Sequence, residues 1–400
     1  FRFYQPVCRL YYDGREVFLP MNNYGLPGKD AGINPANFRK AQESICNSGN
    51  HQANGIHVSC QQDPWTGFCS LAAPQAMQAA QRAGADFIHK GAPGIGYHLA
   101  ELLLSEGMEV RGLDGMTDYY DVALKRRRHQ MLLQHEGFTA VEAMLEDAGR
   151  VMSEISDFRP DIIVHLAAQA GVRYSIENPR AYIDANVTGT FNMLEAARIS
   201  GVQKVVLASS TAVYGNPMQF PTTEDTLLQP LSPYAASKQV NEIYARLYSQ
   251  VFNLPVVPLR FFNVYGPRQR PDSPYAAAIP IFIDLLISGK PITVFGDGRQ
   301  SRDFIFVKDV VQANLMAAGS GEAGEVFNIC SGHETTLLDL LEELSELSPR
   351  PPEVHFAPPR PGDIYRSIGS PLKAQTRLGF LARTSLAAGL QETIDWMKSN

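Results

Sequence analysis

The sequence predicts an α/β protein: a doubly wound, mostly parallel sheet with helices on both faces, followed by a smaller α+β lobe. Three observations predict it. From about Ala85, short apolar runs alternate with helical segments at the spacing of strand–helix–strand units. Those runs are apolar throughout, as strands covered on both faces must be. After Asn263 the spacing becomes irregular and proline-rich, with shorter elements.

In chain order, "DFIH" reads as the first strand, "YHLAELLLSEG" as the first helix and "EVRGLD" as the second strand. The stretch after it reads as helical. "DIIVHLAA", "KVVLASS" and "PVVPLRFF" follow as strands, with "GTFNMLEAARISG" and "YAASKQVNEIYARLYSQVF" as the helices between them. Residues 1–83 differ. "NNYGLPGKDAGINPANF" and "CNSGNHQANG" carry loop chemistry, and one helix is suggested at "PQAMQAAQRAGA". The expected organisation is an extension of unassigned role over 1–83, a sheet domain over 84–262 with a contribution from about 302–328, and a second lobe over 263–400.

Composition excludes several classes. The 400 residues are 44% hydrophobic and 19% charged with a net charge of -6, so no basic face for nucleic acid is expected. No run approaches the ~18 uninterrupted apolar residues of a membrane-spanning helix. No basic segment followed by an apolar one opens the chain, so no secretory leader is expected. Of the 5 cysteines, Cys8, Cys46, Cys60 and Cys69 precede residue 70 and only Cys330 follows. Without a C-x-x-C pair no metal site is expected, and so few thiols in the main body suit a reducing cytoplasm.

Two regions carry candidate chemistry. "GAPGIG" at Gly91, Gly94 and Gly96 lies between a strand and a helix, where glycines let the backbone approach a pyrophosphate and free N–H groups face it. Asp114 ends the next strand 18 residues after Gly96, at the distance of an acid that binds the adenine ribose. An Asp there repels a 2′-phosphate, which favours NAD over NADP. The loop alone is evenly divided between this reading and a ligand-free turn. The second region is "SPYAASKQVNE", which puts Tyr234 and Lys238 one helical turn apart. A phenol of ordinary pKa near 10 is a poor base at neutral pH, and a neighbouring ammonium would favour phenolate. By itself this pair is also a common surface arrangement. In "VVLASSTAVYGNP" a strand ends at Ser209, Ser210 and Thr211, where a hydroxyl could relay a proton to Tyr234 or merely cap a turn.

Taken together, "HLAAQAGVRYSIENPRAYIDANVTGTFNMLEAAR", "SSTAVYG", "SPYAASK", "LRFFNVYGPRQRP", "GDGRQSRDFIFVKDVV", "VFNICSG" and "RPGD" resemble the extended short-chain dehydrogenase/reductase family, specifically its nucleotide-sugar epimerases. The resemblance runs from about Phe87 to Trp396, in family order. It implies a Rossmann-type domain binding NAD, a C-terminal lobe binding a UDP-sugar, and a homodimer. It makes Tyr234 the base, Lys238 its partner and a nicotinamide-ribose ligand, and Ser210 the assisting hydroxyl. It places Leu145, Ala167 and Asn186 along the cofactor, with Asn186 facing nicotinamide and sugar. Asn263, Arg302, Arg360 and Asp363 match contacts to the nucleotide diphosphate, and Arg173 a substrate contact. Four positions depart from the family. Lys90 stands for a threonine, one residue is missing before Gly96, Met144 precedes Leu145 where an Asp is usual, and Gly115 follows Asp114. All lie in the cofactor half.

The same resemblance separates reactions. Dehydratases place an Asp-Glu pair after the Ser/Thr, and decarboxylases keep a Glu at the second position. Here these are Thr211 and Ala212. The reaction implied is 4-epimerisation of a UDP-hexose through a 4-keto intermediate, with NAD retained. Ser367, seven positions beyond Arg360, is small and leaves room for an N-acetyl group. "AGVRYSIENP" equally suits a uronate epimerase, in which Arg173 faces a carboxylate. A dehydratase or reductase, or a nucleotide-sugar-binding protein without catalysis, are the other classes.

Overall fold

The computed structural model describes residues 7–12, 15–20, 82–86, 94–117, 122–269, 271, 277–360 and 364–399. The chain divides into two compact units, Phe1–Leu71 and Ala72–Asn400. The first contains an antiparallel hairpin, Val7–Tyr12 against Arg15–Pro20, with Tyr12 opposite Arg15. The reading of residues 1–83 as loop chemistry with one helix did not include this hairpin. Asp13-Gly14 is the dipeptide that favours a tight hairpin turn, and "VCRLYY" and "REVFLP" are rich in strand-forming residues.

The second unit is built on seven strands: β1 (Arg82–Asp86), β2 (Glu109–Asp114), β3 (Phe138–Glu142), β4 (Ile162–His165), β5 (Lys204–Ser210), β6 (Val256–Phe261) and β7 (Phe327–Ile329). Their spatial order is β7-β6-β5-β4-β1-β2-β3, and every pair is parallel. The order reverses between β1 and β4, the point at which open α/β sheets of this Rossmann type bind ligands outside their carboxyl ends. Six helices are labelled: α1 (Ile95–Ser105), α2 (Val122–Leu132), α3 (Ala148–Phe158), α4 (Gly189–Ile199), α5 (Pro233–Val251) and α6 (Val307–Gly319).

Both faces of the sheet are buried, which is why its strands read as continuous apolar runs. On β5, Val206 and Ala208 join the cluster of α1 and α6 residues, whereas Val205 and Leu207 join that of α3, α4 and α5. Each such valine or leucine side chain contributes about 1.5–3 kcal/mol on burial. Pro258 sits inside β6 and lacks an N–H. It is tolerated because β7 begins its pairing one residue later, at Leu259.

Three expectations change. The described first strand is Arg82–Asp86, which takes the last residues of "PQAMQAAQRAGA" and the first of "DFIH"; the rest of both stretches lies outside the described residues. Ala83, Gly84 and Ala85 carry no strand signal of their own. Their pairing with Ile162, Ile163 and Val164 defines the strand. The stretch after β2 is two helices around an edge strand, β3, whose half-exposed pattern is that of a strand with one neighbour. Finally, α1 starts at Ile95, so Gly96 lies in its first turn.

Beyond β6 the smaller elements cluster. Asn263–Tyr265 pairs with Phe304–Phe306, Ile292–Phe295 with Val354–Ala357, and Ser301–Arg302 with Thr335–Thr336. The helices Ala278–Ile287, Leu337–Glu346 and Leu386–Ser399 pack around them. Leu337–Glu346 opens on a capping box, Thr336 and Asp339 each accepting the other's backbone N–H. Among the described residues, no helix is long and apolar enough to cross a membrane.

Candidate active site

Helix α5 fixes the reacting groups. Ser232 accepts from the Ala235 N–H at 3.2 Å and Pro233 occupies the first turn, a strong start signal. Tyr234 therefore stands at the helix entrance, above the carboxyl end of β5. Its phenol hydrogen-bonds the Ser210 side chain. Tyr182 meets its ring edge-on at 6.1 Å between centroids. Burial pushes the phenol above its ordinary pKa, and the Ser210 hydrogen bond opposes that rise.

One turn on, Lys238 is 3% exposed and donates to the Ala208 carbonyl at 2.8 Å. Burial pulls its ammonium down to about 8, and the carboxylate of Glu242 acts in the opposite direction. Ser210, Tyr234 and Lys238, singled out from motifs, thus converge at one sheet edge.

Sequence reasoning missed the layer beneath them. Glu242 accepts from Ser209 Oγ at 2.5 Å and from both arms of the Arg260 fork at 2.9 and 2.7 Å. Arg260 also donates to the Tyr214 hydroxyl at 2.7 Å, and that hydroxyl donates to Asn328 at 2.6 Å. The available signal was spacing: in "YAASKQVNE", Tyr234, Lys238 and Glu242 recur every four residues.

Asn186 is tied to the protein's own groups at this edge. It is fully buried in the π-helical segment Ile183–Thr188. Its carbonyl accepts from the Gln169 N–H at 2.6 Å, and its amide donates to the Gln169 carbonyl at 3.0 Å and Ser237 Oγ at 2.9 Å. Both ends of the amide are committed to protein, so it braces the exit of β4 against α5.

At the cofactor side, Gly94 is left-handed at φ 61° and ψ 36° and begins α1 without a side-chain cap. A Cβ there would stand 3.4 Å from Arg268 Cβ and 3.6 Å from the Arg128 guanidinium carbon. Asp114 is 5% exposed. Its Oδ1 accepts from the Met116 N–H at 2.7 Å and lies 3.8 Å from the Lys125 ammonium. A helix N-terminus beside the Arg128 guanidinium, with an acid ending the next strand, suits a diphosphate carrying a ribose. Leu145 and Ala167 lie in the core beside this edge, and the Leu145 side chain fills the space that Gly189 leaves open. Gly91 and Lys90 lie outside the described residues.

On the substrate side, the Asn263 N–H donates to the Asp303 carbonyl at 3.0 Å, which sets Asn263 beside Arg302. Ser367 donates its N–H to the Ser301 carbonyl at 3.2 Å, next to that arginine. Arg360 is exposed and stacks on Phe295 at 3.5 Å. Arg173 is exposed on the short helix Val172–Glu177, whose Tyr174 packs against Tyr182. Asp363 lies outside the described residues.

Known proteins are similar to this chain. Residues 91–330 match the family described as NAD dependent epimerase/dehydratase. A probable UDP-glucuronate 4-epimerase of Rhizobium meliloti is 37% identical over 326 residues, covering 76% of this chain and 94% of that one. The crystal structure of a UDP-glucose 4-epimerase from Thermotoga maritima, with UDP-glucose, superposes with a TM-score of 0.72 at 33% identity, covering 80% and 99%. A UDP-N-acetylglucosamine 4-epimerase from Methanobrevibacter ruminantium gives 0.73 at 31% identity, covering 80% and 98%. With a parallel sheet, a glycine-started helix and a Ser–Tyr–Lys cluster at its carboxyl edge, the chain belongs to the NAD dependent epimerase/dehydratase family.

Proposed function

We propose that the protein is an NAD-dependent 4-epimerase of a UDP-hexose. The observation that carries this reading is the Tyr234 phenol hydrogen-bonded to Ser210, with Lys238 buried one turn away at the ligand-binding edge of the sheet. NAD, when bound, supplies a reversible acceptor for the C4 hydride. Gly94, the N-terminus of α1, Arg128, Arg268 and Asp114 are the residues to hold it. The Tyr234 oxygen takes the O4 proton as the sugar becomes a 4-keto species and gives it back afterwards. Ser210 hydrogen-bonds the reacting oxygen, and the charge of Lys238 favours phenolate. Hydride supplied back by bound NAD to the opposite face of C4 would invert that carbon. Thr211 and Ala212 provide no carboxylic acid for elimination, which disfavours dehydration.

The sheet domain over 84–262, with the returning segment about 302–328, serves the cofactor, and the lobe over 263–400 serves the UDP-sugar through Asn263, Arg302, Arg360 and Asp363. A planar guanidinium fork suits phosphate oxygens. Ser367 beside Ser301 supports an open wall at the sugar, so UDP-glucose and UDP-N-acetylglucosamine are the preferred substrates. A second reading, UDP-glucuronate, is favoured by Arg173 on the helix next to Tyr182, and relatives named for each sugar exist. The test is kcat/KM for the three UDP-sugars, because specificity resides in that ratio. Ser367→Tyr should selectively harm the N-acetyl sugar. A strong preference for glucuronate, abolished by Arg173→Ala, replaces the first reading with the second.

A homodimer is part of the proposal. Ile243, Leu247 and Val251 recur every four residues on the outer face of α5 and are 61%, 42% and 61% exposed. Phe191 of α4, 42% exposed, extends that stripe by packing on Tyr244. Such a contiguous apolar stripe marks an association surface. Leu247→Glu is expected to lower the mass measured by light scattering from dimer to monomer. A monomeric parent protein would refute the dimer. The scarcity of thiols after residue 70 supports a cytoplasmic setting.

A further inference from the structure

We propose that Glu242 is a positioning residue of the epimerase site, holding the strand end that carries Ser210 in register with the helix that carries Tyr234 and facing the Lys238 ammonium with a fixed negative charge. The inference rests on the epimerase reading. Three consecutive residues of β5 are tied to three residues of α5 spaced one turn apart. The Ala208 carbonyl accepts from Lys238, the Ser209 hydroxyl donates to Glu242, and the Ser210 hydroxyl is hydrogen-bonded with Tyr234. A shift of the strand along the helix would break all three contacts together. Such contacts matter because a misplacement of about 1 Å at a reacting group costs ~10²-fold in rate.

Glu242 is itself held from two further sides. The Arg260 fork on β6 grips both carboxylate oxygens, and Arg260 is anchored by the Tyr214 hydroxyl and by stacking on that ring at 4.7 Å. The carboxylate thus has one orientation. Around Lys238, its own helix presents Tyr234 and Glu242. β5 presents the neutral Ser209 and Ser210, β6 presents Arg260 turned toward Glu242, and the turn after β5 presents Tyr214. Behind Arg260, Glu224 accepts with its carbonyl at 3.3 Å and takes the Asn328 N–H on Oε1 at 2.7 Å. The π-helical segment presents the neutral Asn186, and His165 of β4 is engaged with Thr190 at 3.0 Å. Of these, Glu242 is the one that raises the Lys238 pKa against burial.

A buried ion pair that only stabilised the fold would change melting alone. A positioning carboxylate changes turnover and its pH dependence. Turnover requires Tyr234 to lose a proton and Lys238 to keep one, so the alkaline limb of kcat tracks Lys238. In Glu242→Gln the limb should move to lower pH by about one unit or more. Turnover at pH 7 should fall about tenfold or more, with KM for the UDP-sugar little changed. Glu242→Asp retains the charge and should keep the limb in place. Ser209→Ala removes only the middle tie and should lower kcat several-fold at every pH without moving the limb. A folded Glu242→Gln with the parent's limb and kcat overturns the proposal. If Glu242→Gln does not fold, Ser209→Ala with parental kcat overturns it. The parent enzyme and Tyr234→Phe are assayed alongside: a parent inactive on every UDP-sugar defeats the epimerase reading itself, a result distinct from either outcome for Glu242.

Discussion

Replacing Tyr234 by phenylalanine is expected to leave the fold intact while lowering epimerase turnover by ~10²–10⁴-fold, the usual worth of a positioned general base. The ring keeps its edge-on contact with Tyr182, and Ser210 keeps its bond from the Ala212 N–H at 3.2 Å. Only the phenolic oxygen goes. Circular dichroism should give a melting curve close to the parent's, and stopped assays with a UDP-sugar should show the loss. Turnover within a factor of a few of the parent's would remove Tyr234 from the base's role and pass the task to another group. Burial holds the phenol above its ordinary pKa, and the Ser210 hydrogen bond opposes that rise.

Gly94→Val should strip NAD from the protein. At φ 61° a β-branched side chain is strained, costing about 1–3 kcal/mol. Its Cβ would also press on Arg268 Cβ at 3.4 Å, and its branches would stand where a pyrophosphate must approach the N-terminus of α1. NAD released by denaturing purified protein should fall from near one per protomer to a small fraction, with a lower melting temperature but retained helix content. Equal NAD content in parent and variant would mean that Gly94 only shapes the start of the helix. The result also bears on the shortened loop, since Arg128 and Arg268 flank Gly94 from elements outside it.

Much of this architecture was legible in the sequence, for reasons that differ between elements. "KVVLASS" matches β5 end for end because a strand buried on both faces cannot hide its apolar character. Strand β1 was not legible: Ala83, Gly84 and Ala85 have no side chains large enough to show a pattern, and their strand is made by neighbours on both sides. Tyr234 and Lys238 stood out because a Ser-Pro start places them on one face of a helix. Glu242 did not, since glutamate inside a helix is ordinarily solvated, and only the fold brings Arg260 and Ser209 to it. Asn186 was recognisable as a position, whereas its bonds to the main chain of Gln169 are announced by no local pattern.

Strand β7 joins the sheet only after the chain has passed through the smaller lobe, and the apolar cluster on that face runs from Ile95 to Ile394. The chain is in this sense threaded: neither lobe can finish folding before the other has been synthesised. Two separately melting bodies are therefore excluded, and Ala72–Asn400 should unfold in one cooperative transition. A protease nick between the lobes should leave two fragments that stay together, because the sheet itself holds them. The same threading makes the mutual placement of the sheet's carboxyl edge and the smaller lobe a property of the core rather than of a hinge.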